Sequence, residues 1–250
     1  MTALVGSELL KIRTTRGWYV YLGVIVLLVG LAVAGDVGPS GNSERSQVSF
    51  QVSLVDTAGL STLLGLILGI TIVTTEFRHG TITPTLLTAP HRELVVGAKA
   101  VAGGLVAVLF AVLALVVIAL VGVSWLSIVG ADIHAFHSDL GVRAAQVVLA
   151  AVLWTLMGVA IGTAVQSQVA ALVGTLVWIF VVETLLVVAV FGPLDLDGLS
   201  PYLPFRALDA ADGTGGEDLL SYWGGVGVSL VWIALIGVAG AERLRRRDIT

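Results

Sequence analysis

The stretch TTEFRHGTITPTLLTAPHRELVVGAKA, residues 74–100, decides how this chain is read. It is a charged segment punctuated by Gly80, Pro84 and Pro90, set between two long apolar runs. At roughly two dozen residues it is too short to form a domain of its own. The apolar runs are therefore the structure, and this segment is something they present on one face.

Composition supports that division. Hydrophobic residues make up 57% of the 250 positions, charged residues 12%, and the mean hydropathy is +1.01. Soluble domains carry roughly 25% charged residues, so the chain reads as an all-α integral membrane protein. With no cysteine, disulfides, thiolate metal sites and cysteine nucleophiles are excluded.

Six spans are expected, over about 18–35, 55–75, 98–123, 144–165, 169–191 and 223–241, each long enough at 1.5 Å per residue to cross most of a roughly 30 Å hydrocarbon core. Together they form a single transmembrane domain covering 1–250. Before them, residues 2–16 read as an amphipathic helix on the membrane surface, with Val5, Leu9 and Ile12 on one side. Ala32-Val33-Ala34 after a basic start resembles a signal-peptide cleavage site, but the run is longer than an ordinary signal core and is read as the first span. Gly65 with Gly69, and Gly158 with Gly162, form two GxxxG pairs that signal helix packing. The tight turn 166–168 makes the fourth and fifth spans antiparallel neighbours.

Charge fixes the expected orientation. Lys11, Arg13, Arg16, Arg78, Arg92, Lys99, Arg243, Arg245, Arg246 and Arg247 lie on one face, ten of the thirteen basic residues. The positive-inside rule puts that face, both termini and the segment 76–97 in the cytoplasm. The loop 192–222 is then external, and able to pack on the helix ends or dip into the membrane.

Candidate chemistry is sparse. His134 and His137, near Asp132 and Asp139, sit in a loop without an HExxH pattern, and no metal role is assigned to them or to His79 and His91. The Arg-rich C-terminus reads as an anchor to membrane lipid, not as a nucleic-acid site. No G-x-x-x-x-G-K-[ST] motif occurs, and no catalytic residues are assigned. Glu183 stands deep in the fifth apolar run, where an unpaired carboxylate is costly. It is either a substrate-pathway or proton-relay residue, or a packing carboxylate bonded to a neighbouring helix or the external loop.

Within the central segment, Glu76, Phe77, Arg78 and His79 close the second span and Gly80 breaks the helix. Thr83 before Pro84 predicts a short helix over 84–88, stopped by Pro90. Ile82, Leu86 and Leu87 are then available to a docking partner, unless the segment is an ordinary connector. The run EFRHGTITPTLLTAPHRELVVGAK resembles the segment after the second span in type-2 ABC transporter permeases, patterned E-[FY]-R-x-G-[ST]-I before a proline and a basic residue. SELLKIRTTRGWY and PYLPFRAL resemble that family's entry helix and external segment.

The resemblance implies a coupling helix seated on a separate ABC ATPase subunit, with Glu76, Phe77, Arg78, His79, Gly80, Thr81, Ile82, Leu86 and Leu87 forming the coupling site. It also implies two ATPase copies that bind ATP and magnesium, a second permease copy as homodimer or heterodimer, and no cofactor in this chain. The expected setting is a bacterial cytoplasmic membrane and the expected activity export, with drugs, antibiotics, lipids and polysaccharides among the family's substrates. The rival reading from another class is an autonomous proton-coupled secondary transporter using Glu183.

Overall fold

A computed structural model describes residues 1–15, 17–81, 92–134, 137–213, 216 and 218–246. Every regular element among them is helical. Lipid offers the backbone no hydrogen-bond partner, so an apolar segment must satisfy its own N–H and C=O groups, which a helix does.

The entry helix covers Thr2–Thr14. Six helices are long and apolar enough to cross a membrane: Gly17–Val37, Val48–Arg78, Leu94–Ile128, Ser138–Val165, Gln168–Leu194 and Tyr222–Arg245. Between the last two, Pro204–Asp212 forms a short helix at the end of the bundle away from the termini, named the external helix after the side expected for its loop. Four boundaries differ from expectation. The polar loop expected over 35–54 is largely helical, because Gln51, Leu54 and Val55 bury one side of Val48–Asp56. The third span begins at Arg92 and ends at Ile128, outlasting the expected 98–123 at both ends. The fourth begins at Ser138, and the fifth widens into π turns over Trp178–Val182 and Leu186–Phe191. At 31 residues the second span is about 46 Å long, well beyond a hydrocarbon core of about 30 Å.

The first span touches the bundle along a single stripe. Ile25, Val29, Val33 and Val37 recur every fourth residue and are fully buried against Phe110, Ala114 and Val117 of the third span. Its other faces carry Val26, Leu27 and Leu31, exposed where lipid would lie.

The second and fourth spans hold the centre. Gly69 of one meets Gly158 of the other, while Gly65 lies against Thr155 and Ala151 and Gly162 against Ile70 and Val73, so the two GxxxG pairs fall within one contact. A methyl group on Gly69 would collide with the Thr155 carbonyl, and one on Gly158 with the Leu66 carbonyl. These two backbones touch with no side chain between them, the arrangement small residues permit in lipid.

Gly158→Val and Gly69→Val should each force the spans apart, at a cost of about 1–3 kcal/mol or more. Thermal unfolding in detergent checks this. Gly174→Ala, where an added methyl meets nothing within 4 Å, is the control and should melt like the parent chain.

Candidate functional site

The central segment leaves the second span through residues 76–81, and each of these has a distinct structural position. Glu76 is buried and points into a ring of four charges. Phe77 packs with Val95 and Val96 of the third span and Leu244 of the sixth. Arg78 donates to Gln168 Oε1 at the start of the fifth span, 3.3 Å away. His79 caps the helix and its ring Nδ1 lies 2.9 Å from the Thr75 carbonyl. Gly80 adopts φ +69°, the left-handed conformation that ends a helix cheaply only at glycine. Thr81 is exposed in the turn that follows. Glu76, Phe77 and Arg78 thus fix the start of the segment against the entry helix and the third, fifth and sixth spans, and His79 and Gly80 end the helix. Ile82, Leu86 and Leu87, the helix expected over 84–88 and His91 lie outside the described residues.

The ring is closed and alternates in sign. Lys99 Nζ lies 2.8 Å from both Glu8 Oε2 and Glu76 Oε1, and Lys11 Nζ lies 2.7 Å from both Glu8 Oε1 and Glu76 Oε1. Two carboxylates and two ammonium groups cancel, so the group can be buried without a net charge. The side chains of Lys99, Glu8 and Glu76 are 2%, 5% and 8% exposed, whereas that of Lys11 is 45% exposed. Burial lowers the Lys11 pKa, but hydrogen bonds to Glu76 and Glu8 outweigh it and hold the ammonium above its ordinary range. Glu8 and Lys11 share a face of the entry helix at i,i+3, while Leu9 and Ile12 pack toward the first spans.

Sequence reasoning placed Glu76 at the end of the second span but missed Glu8, Lys11 and Lys99 as the other members of its ring. The one available signal was Lys99 itself, an ammonium at the mouth of an apolar run that needs a carboxylate.

The opposite end of the bundle has its own polar assembly. Glu183 Oε1 accepts from Trp178 Nε1 and from the Phe205 backbone N–H, both at 3.0 Å, and Oε2 accepts from the Arg206 N–H at 3.2 Å. The carboxylate therefore caps the external helix from outside, where Leu203 supplies no side-chain cap and Pro204 occupies the first turn. These are bonds of the kind a packing carboxylate makes. At the other terminus Arg143 donates to the Asp212 carbonyl and pairs with Asp56 of the second span. A carboxylate at the N-terminus and a guanidinium at the C-terminus both suit the helix dipole. Burial raises the Asp212 carboxyl above its ordinary pKa, with Arg143 opposing and Asp56 adding to the rise. Asp209, on the rim of the same helix, is pushed up to about 6, by burial first and then by the charges of Glu183 and Asp212.

The loop histidine His134 serves local structure. Its ring Nε2 lies 3.1 Å from the Ser46 carbonyl, and its N–H donates to Gln51 Oε1.

Removing one member of a buried ring strands its partners, at about 3–5 kcal/mol, whereas an exposed member contributes about 1 kcal/mol or less. Lys99→Ala should therefore lower the melting temperature more than Lys11→Ala, whose half-exposed site lets water reach the carboxylates it leaves, and an equal loss at Lys11 would show that its exposure does not lessen its share in the ring. Glu183→Gln should weaken the cap by about 1–3 kcal/mol. Amide exchange should then quicken in 204–212 and not at the 76–81 end.

Comparison with protein-family models matches residues 4–189 to the ABC-2 family transporter protein. The match takes in the entry helix, the charge ring, the Glu76 hinge and Glu183. No curated protein matches the chain significantly. Covering well over half of the sequence, and agreeing with six membrane-crossing helices, the family match shows that this chain belongs to the ABC-2 transporter family, as a permease component of an ABC transporter.

Proposed function

We propose that the chain is the permease of an ATP-driven exporter, and that a separate ABC ATPase subunit drives it through the segment 76–97. The observation that carries this reading is the buried ring, which ties the first residue of that segment to the entry helix and the third span. Force applied to a loosely tethered loop is absorbed by the loop. Applied next to Glu76, it meets a neutral ring of four charges and the Phe77 contacts, and several helices must move together.

In this reading the termini and the ring face the cytoplasm, and two ATPase copies with ATP and magnesium engage two permeases, identical or related. Residues 76–81 form the fixed base of the coupling element, and Ile82, Leu86 and Leu87 supply its docking face. The membrane is the cytoplasmic membrane of a bacterium, and the substrate class includes drugs and other amphiphiles. Glu183 is not needed as a proton carrier, because both its oxygens are engaged in capping.

The absence of native cysteine makes a single introduced thiol a unique label. Thr81→Cys should react with a membrane-impermeant maleimide in the isolated permease and be protected when its ABC ATPase subunit is co-expressed, with ATP changing the degree of protection. Ser40→Cys, at the opposite end of the bundle, should label identically in both preparations. With Glu76→Lys, assembly and ATP hydrolysis should persist while the ATP-dependent change at Thr81 disappears. Equal labelling of Thr81→Cys with and without the ATPase would remove the docking role.

A further inference from the structure

The end of the bundle away from the termini contains an apolar groove between the second, third and fourth spans, with a volume of about 280 Å³. Leu54, Leu115, Ala119, Val123, Leu126 and Ala144 form its walls. We infer that this groove holds one acyl chain of a phospholipid from the leaflet on that side of the membrane.

Four observations lead there. The groove follows the third span over 115–126, a rise of about 16 Å, and one leaflet contributes about half of a 30 Å hydrocarbon core. Its length therefore matches a single extended chain. Ala119, Val123 and Gly141 are exposed, so the groove opens sideways at membrane depth, where lipid is the surrounding medium.

Its polar lining residue, Gln51, has no hydrogen left to donate. Its amide Nε2 already donates to the Arg45 and Asp132 carbonyls, and its oxygen accepts from the His134 N–H. Water in such a groove would lack the two to four partners it needs, and a polar substrate would find no donor. The shape of the wall completes the case. Gly122 leaves the floor open, since a methyl group there would only reach ordinary contact with Leu54 and Val33. An unfilled groove would forfeit the dispersion contacts of its lining, and a flexible hydrocarbon chain restores them.

The site lies away from the charge ring and requires no ATPase, so its failure and the failure of the coupling reading are independent. It is tested with the full chain in phosphatidylcholine nanodiscs containing a trace of phosphatidylcholine that carries a diazirine halfway along one acyl chain. After illumination, peptide mapping should place adducts mainly within 115–126 and 140–144, and much less at Val231 and Leu235, lipid-exposed positions of the sixth span. Ala119→Phe should fill the groove and reduce labelling there to the level of the sixth span, while Leu235→Phe should leave it unchanged. Val123→Phe serves the same purpose if Ala119→Phe does not fold. Adducts spread evenly over exposed faces, or undiminished by both filling variants, would overturn the assignment. So would disulfide-linked dimers formed by Ala119→Cys in the same nanodiscs, which would place a second copy of the chain in the groove.

Discussion

The second and fourth spans meet backbone to backbone, and the rest of the bundle is arranged around that contact. Apolar side chains gain little by leaving lipid for another helix, because acyl chains are as apolar as leucine. Association must come from close fit and from polar groups that lipid cannot satisfy. Gly65, Gly69, Gly158 and Gly162 supply the fit, and Gly225 repeats the device where the sixth span meets the backbone of the external helix at Ala207 and Ala211. The polar groups are gathered at the two ends of the bundle.

Both polar assemblies obey one rule, which is that no charge is buried alone. At the end with the termini, two carboxylates and two ammonium groups close on themselves. At the other, Glu183 accepts three N–H donors and Arg143 bridges Asp56 to the end of the external helix. Neither arrangement need be more stable than an apolar core of the same volume. What each does is fix geometry, since a charged ring has far fewer acceptable arrangements than a patch of valine and leucine. The external helix is an example. Its apolar face, with Phe205, Leu208 and Ala211, packs into the core, and its two ends are fixed by Glu183 at one terminus and Arg143 at the other.

The sequence made much of this legible, and the reason is that lipid leaves so few options. Six apolar runs could only be helices, and the E-F-R-x-G pattern marked the end of the second. Boundaries were less legible, because residues such as Gln51 and Arg143 look like loop residues until a partner is found for them. Gln51 bonds to residues more than eighty positions away, and Arg143 to Asp56 across two spans. Pairings of that kind depend on how spans are ordered around the bundle, which local periodicity does not encode. The two GxxxG pairs show the same limit, for each could be seen separately while their meeting could not. For Glu183 the sequence narrowed the question to two roles, and its bonds to the Phe205 and Arg206 N–H groups, more than twenty positions away, could not be read from it.

The second span joins the two ends. It carries Glu76 in the ring and Asp56 in the pair with Arg143, about 30 Å apart along one helix axis. Between them lie the glycines that cross the fourth span, so the helix is held at three places. A push transmitted to Glu76 under the proposed coupling would turn this rod about its glycine crossing, where smooth backbone surfaces offer little resistance to sliding. The turn Thr57–Gly59 is a 3-10 element directly beyond Asp56, and such breaks within long helices are places where direction can change. Gly59 there lies beside the Asp212 carboxylate of the external helix. Motion at the ring would therefore reach the external helix through Gly59, beside Asp212, while the segment before Thr57, Asp56 included, stayed with the third and fourth spans on which it packs. A bundle fixed by charge at its ends and crossed backbone to backbone in between has a place to pivot, which is what the proposed drive from one side would use.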